Sequence, residues 1–216
     1  MNRSLYLLSA LAIVALLLPQ CTNRPGSSAG PAVPEYNPMI TAFTSGIISV
    51  ESGVKVRFAQ EFSDSVAPHS RVSKKVLQLD PDTEGDLYYV DQRTVEFRPK
   101  SRFQPGRSYE AALKLSRLFP EVKGSKSFEF EFHTIAQHMD LEITGFRPYD
   151  DYKPEMNYIT GSIHLADVAD IAAVESVLHA LQDGEELPIS WNHGTSGRLH
   201  EFTIDSVGRK HAEDEV

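Results

Sequence analysis

Five carboxylates crowd into twelve residues: Asp80, Asp82, Glu84, Asp86 and Asp91. Counted from Asp80, oxygen-bearing side chains stand at positions one, three and five, Gly85 at six and a carboxylate at twelve, the spacing with which a loop wraps a calcium ion. Pro81 intrudes, strand patterns flank the loop on both sides, and the twelfth residue is the short Asp91. The expectation is therefore a turn, with a weak calcium site as its alternative. Gly194-Thr195-Ser196-Gly197 offers the serine of a nucleophile elbow, but Arg198 stands where that motif needs glycine, and no strand-then-long-helix pattern surrounds it. It is expected to be a turn. The histidines, among them His133, His138, His193 and His200, show no His-Glu-x-x-His grouping and are expected to be scattered over the surface. Asp150-Asp151 lies between Pro148 and Pro154 in a loop pattern and is assigned no acid–base role. No catalytic residue, metal or cofactor is expected, and the chain is not expected to be an enzyme.

The remaining chemistry belongs to Cys21, the single cysteine in 216 residues. It has no partner for a disulfide and too few companions for a zinc site. Met1-Asn2-Arg3 precedes an apolar run from Leu5 to Leu18. At about 1.5 Å per residue that run spans roughly 21 Å, short of a hydrocarbon core of about 30 Å, so it suits a secretory signal better than a membrane span. Leu17-Leu18-Pro19-Gln20-Cys21 resembles a bacterial lipobox, although Gln20 stands where a small residue is usual. The resemblance implies that Cys21 is acylated and becomes the first mature residue. Thr22, rather than aspartate, follows it, which points to the outer membrane facing the periplasm.

These residues need elements to carry them. Residues 22–38 are rich in Pro, Gly and Ser and read as a tether. From Met39 the pattern has period two: Val54, Val56 and Phe58 alternate with Lys55 and Arg57, and Phe128, Phe130 and Phe132 with Glu129 and Glu131. Val95 and Phe97, and Tyr109, Ala111, Leu113 and Leu115, repeat the theme, with further candidates at Ile40 to Thr44, Lys75 to Leu79 and Leu87 to Val90. About seven half-buried strands over 39–136 predict an immunoglobulin-like antiparallel β-sandwich. Residues 137–216 add strands at Leu141 to Ile143 and Tyr158 to His164. A short helix capped by Asp170 is expected from Ile171, followed by a hairpin about Asp183-Gly184; one helix from Asp170 to Leu181 is the rival. The expected fold class is thus mainly β, two tandem sandwiches with the second incomplete.

Phe97-Arg98-Pro99 with Phe103-Gln104-Pro105-Gly106-Arg107-Ser108-Tyr109 resembles the F-x-P and P-G-x-x-Y signature of bacterial Ig-like domains. There Pro105 and Gly106 turn a corner that Tyr109 closes. Phe43 to Ser49 followed by Val54 to Phe58, and Gly161-Ser162-Ile163 with Asp167 to Asp170 and Trp191, resemble the opening domains of bacterial α2-macroglobulin-like lipoproteins. That resemblance implies a signal and lipobox at 1–21, a tether at 22–38, an Ig-like domain at 39–136 and a macroglobulin-type domain at 137–216. The last would lack a closing strand, so a fragment is expected. The implied function is the non-enzymatic, membrane-anchored scaffold of a protease-trapping inhibitor, its partners being the membrane, later domains of a longer chain and proteases reached only through them. A free-standing surface lipoprotein binding polysaccharide or a protein, and an accessory module of a secreted hydrolase, are the alternatives. Residues 38–136 hold 14 Lys and Arg against 13 Asp and Glu, whereas 137–216 hold 5 against 16, a net of −11. With the negative charge so placed and no basic stripe, nucleic acid is not an expected partner.

Overall fold

The computed structural model describes residues 35–73, 75–122 and 127–209. They lie within one compact unit, Pro31–Val216. Fourteen strands and one short α-helix make it almost wholly β. In chain order these are β1 (Ile40–Phe43), β2 (Gly46–Ile48), β3 (Val54–Phe58), β4 (Leu77–Asp80), β5 (Gly85–Asp91), β6 (Thr94–Pro99), β7 (Ser108–Lys114) and β8 (Ser127–Thr134). There follow β9 (Met139–Asp150), β10 (Lys153–Leu165), α1 (Ile171–Glu175), β11 (Leu181–Gln182), β12 (Glu185–Glu186), β13 (Ile189–His193) and β14 (Leu199–Gly208).

The first eight strands form two four-stranded sheets, ordered β1-β3-β6-β5 and β2-β8-β7-β4. Alternation in the sequence becomes alternation in space. Val54, Val56 and Phe58 of β3 face inward while Lys55 and Arg57 stay wet, and Phe128, Phe130 and Phe132 of β8 are buried from the opposite sheet. Aromatic rings fill the space between. Phe58, Phe62 and Phe119 meet with centroids 4.9 to 5.6 Å apart, and Phe103, Tyr109 and Phe132 at 4.9 to 5.4 Å. Each fully buried ring contributes about 1.5–3 kcal/mol by leaving water, with the edge-to-face contacts adding to it. Periodicity did not reveal β2, three residues that pair in parallel with β8 from Gly46↔Phe132 to Ile48↔Thr134.

The second sheet, ordered β13-β14-β10-β9, is built on a long hairpin of β9 and β10. One face carries Ile163, Phe202 and Ile204, covered by Val174 of α1 and by Ala180, with Leu178 and Leu187 packed alongside. The expected helix is short. It ends at Ser176, whose hydroxyl donates to the Ala173 carbonyl, and the chain then turns so that Ala180 reaches the core. The continuous helix to Leu181 therefore does not form. Asp183 and Gly184 have φ of 53° and 85°, the geometry of a two-residue hairpin turn, but the hairpin has only two residues on each side. Asp170 occupies the N-cap position with extended backbone yet makes no capping bond. Its carboxylate has another partner.

Two glycines show the same packing device in the two parts. A Cβ on Gly85 would stand 2.3 Å from Phe97, and one on Gly161 would stand 2.3 Å from Phe202. Each glycine lets a phenylalanine ring of the neighbouring strand lie flat over the backbone.

Candidate functional site

At the join between sandwich and second sheet, Val168 packs against the sandwich core and polar groups clasp around it. Asp167, only 3% exposed, accepts from the Ser49 hydroxyl at 2.8 Å and from the Val50 N–H at 2.7 Å. Gln137 grips the same residue from behind, its amide donating to the Asp167 carbonyl at 2.9 Å and accepting from the Asp167 N–H at 3.1 Å. Arg102 completes the clasp, reaching Glu51 at 2.6 Å and Asp170 at 2.5 Å, and these two carboxylates raise its pKa. That contact is what draws Asp170 away from capping. Sequence reading took Asp167 only as part of the Asp167 to Asp170 stretch before the helix and gave Gln137 no role; that the two meet at a join was not anticipated.

A second polar group lies under α1. His193 and His200 face each other across β13 and β14, Nδ1 to Nδ1 at 2.8 Å, and His193 Nε2 lies 3.0 Å from Glu175. Trp191 stacks parallel to the His193 ring with centroids 5.7 Å apart. A contact between two ring nitrogens requires one to donate and the other to accept, so a single proton sits between them. His200 is wholly buried and its Nε2 finds no hydrogen-bond partner among the described residues. Desolvation, then the neighbouring His193, push its pKa below the usual histidine value. The pair corrects the expectation of scattered surface histidines. Cross-strand register brings together two residues seven apart in sequence, which a motif search cannot anticipate.

A cleft of about 720 Å³ opens between β4 and β5 where the two sheets of the sandwich part. Its floor is Leu77, Leu79, Leu87 and Phe97, all buried. Four charges at its rim are paired, Arg71 with Asp86 and Lys100 with Glu84, and Lys75 and Asp82 also line it.

The carboxylates of the candidate calcium loop do not converge. Asp80 ends β4, Asp82 and Glu84 lie in the turn, and Asp86 and Asp91 stand near opposite ends of β5, five residues or roughly 17 Å apart along a strand. Asp86 faces Arg71, and Glu84 faces Lys100. Asp91 accepts from the Arg93 N–H and the Thr94 hydroxyl and faces Arg57, which together hold its pKa below the usual carboxylate value. No cluster of three metal-ligating side chains is present among the described residues. Pro105 and Gly106 lie in the turn before β7, Gly106 with φ of 64°. Tyr109, 3% exposed, stacks on Phe132, and its hydroxyl accepts from the Gln104 N–H at 3.0 Å. Gly194 to Gly197 is a turn closed by the Gly197 N–H on the Gly194 carbonyl, and Asp150-Asp151 sits at the tip of the β9–β10 hairpin. Cys21 lies outside the described residues.

No family model and no curated protein matches the chain. Among solved structures it is similar to L,D-transpeptidases from Mycobacterium tuberculosis. The crystal structure of L,D-transpeptidase 3 at 1.32 Å is 15% identical with a TM-score of 0.31, covering 73% of this chain and 59% of that one. An L,D-transpeptidase from the H37Rv strain is 15% identical with a TM-score of 0.32, covering 74% and 61%. L,D-transpeptidase 3 with a faropenem-derived adduct is 14% identical with a TM-score of 0.31, covering 74% and 59%. The chain thus spans about three-fifths of the length of the structures it matches.

These findings correct the α2-macroglobulin resemblance. The three structures above are named as transpeptidases, and none of the three as a macroglobulin. With the resemblance go its dependents: the protease-trapping scaffold, the inhibitor role and the expectation that the chain is no enzyme. The alternative of a free-standing binding lipoprotein gains nothing from them. The physical reason for the misreading is visible at the corner. Phe103, Pro105, Gly106 and Tyr109 are what a sandwich corner requires for burial and for closing its turn, and that requirement is indifferent to family. Gly161 likewise answers to the ring of Phe202. At these TM-scores the transpeptidases lend this chain no activity.

Proposed function

We propose that this chain is a lipid-anchored protein of the bacterial envelope, held to the membrane through acylated Cys21, with residues 22–38 as the spacer that carries the β unit. One observation carries the reading: the single cysteine of the chain follows the Leu5 to Leu18 apolar run at the place where a lipobox puts it. Among the described residues the Asn37 carbonyl accepts from Ile40 and its side chain from Met39 in a turn, and β1 begins immediately afterwards. Acyl chains would contribute about 0.8 kcal/mol for every CH₂ buried in the bilayer, so two or three chains hold firmly where one does not. The clasp of Asp167, Gln137 and Arg102 would make what they carry a single body. The outer membrane, facing the periplasm, is the site proposed for it.

Intact mass of the protein extracted from membranes tests the reading. The expected species begins at Cys21 and carries diacylglycerol mass, and Cys21→Ala moves the protein out of the membrane fraction. A mature chain that begins elsewhere with no lipid on Cys21 would overturn it.

A further inference from the structure

Strand β9 is the longest sheet edge among the described residues. The edge strands β1, β2, β4 and β13 have three to five residues, and β5 is covered by the segment around Arg71, whereas β9 runs for twelve with one side bare. Its side chains stand out on both faces. Leu141 lies opposite Ile163, Ile143 opposite Gly161 and Phe146 opposite Ile159, so all three share the face that carries the buried Ile163 and Phe202. α1 and the chain after it cover that face over β14 and β10, where Ile163 is wholly buried, and leave the β9 side chains exposed. Met139, Leu141, Ile143 and Phe146 are left 42%, 46%, 54% and 37% exposed, an apolar strip continuous with the core. A bulge between Ile143 and Gly145 keeps Phe146 on the same side as Ile143. The other face of β9 shows Asp140, Glu142 and Arg147.

We infer that a second copy of the chain covers this edge, β9 pairing antiparallel with β9 about a twofold axis between Thr144 and Gly145 and joining the two sheets into one of eight strands. The argument is the self-complementarity of the strand, which an isologous contact demands. In that register Glu142 lies opposite Arg147 of the other copy, and by symmetry the pair occurs twice. Ile143 lies opposite Phe146, also twice, on the apolar face. Arg147 is the one cation on β9, and neither it nor Glu142 makes an ion pair among the described residues. A slip of one residue would set charged side chains against apolar ones along the whole strand. Against association stands the net charge of −9 on each copy, whose repulsion is screened beyond about 8 Å at physiological ionic strength. The dimer does not depend on acylation of Cys21.

Sedimentation of the full chain in non-ionic detergent at about 0.15 M salt, with and without Cys21→Ser, tests the inference. The wild-type chain is expected to be a dimer in both backgrounds. Glu142→Arg alone sets Arg against Arg147 twice, and Arg147→Glu alone sets Glu against Glu142 twice. Each should weaken the dimer on the order of tenfold or more. Mixing the two variants pairs opposite charges again and should restore a heterodimer. Both positions are exposed, and unchanged circular dichroism would show that the variants fold. A monomeric wild type, variants that dimerise like the wild type, a mixture that stays monomeric, or another protein bound in stoichiometric amount on β9 would each overturn the inference. Loss of association with Cys21→Ser alone would do so too, whereas failure to find lipid on Cys21 would bear only on the anchor.

Discussion

The sandwich of β1 to β8 and the sheet of β9 to β14 use the same materials to different degrees of closure. In the first, two sheets face each other and ten aromatic rings, Phe43 to Phe132, interlock between them. In the second, one sheet is covered on one face short of β9 by a five-residue helix and a small hairpin, and its core contains a buried histidine with a nitrogen unpartnered among the described residues. A sheet closed by another sheet can be apolar throughout. A sheet closed by a short helix leaves an open strip and must place polar groups where the cover is thin.

The comparison breaks first at the cores. Phe132→Ala is expected to cost about 3–5 kcal/mol in urea unfolding, and Phe202→Ala less, because the open β9 side lets the second site relax. The reverse order would show that closure does not govern packing strength. Next comes the join. Asp167→Ala leaves the Val50 N–H and the Ser49 hydroxyl without their acceptor, at about 2–3 kcal/mol. Two unfolding transitions in this variant, in place of one, would mean that the clasp is what makes the two parts cooperative. Smaller effects are expected from Gly85→Ala and Gly161→Ala, each about 1–3 kcal/mol by thermal melting, since both force a methyl group into a ring and a carbonyl oxygen. Equal losses would sharpen the view that both parts solve this contact alike. The smallest effect is a pH dependence confined to the second sheet. The folded chain holds His200 neutral where the unfolded chain would bind a proton, so its stabilising effect is present above the usual histidine pKa and is lost as pH falls below it. The melting temperature should drop on acidification through that range, and His200→Phe should flatten the drop.

Much of the sandwich was legible because its strands alternate. Val54 to Phe58 and Phe128 to Phe132 announce a wet face and a dry face directly. β2 was hidden because Gly46-Ile47-Ile48 has no alternation and pairs through its backbone. The short α1 was half legible: Ile171, Val174 and Leu178 keep helical spacing, but the need to bury Ala180 bends the chain after Ser176. The contacts at the join could not be read from the chain, since Ser49 and Asp167 are 118 positions apart. The same is true of His193 and His200, whose meeting depends on the β13–β14 register. Family was the least legible property. Pro105, Gly106 and Tyr109 satisfy local demands of burial and turn geometry that unrelated sandwiches share.

The parallel pairing of β2 with β8 has a mechanical consequence. Because the two strands run in the same direction, tension applied between the start of the chain and the second sheet pulls β2 from its first residue and β8 from its last. The backbone bonds from Gly46↔Phe132 to Ile48↔Thr134 are then loaded together, in shear, and cannot be opened one at a time. Three residues at the start of the sandwich thus act as a latch against stretching along the chain.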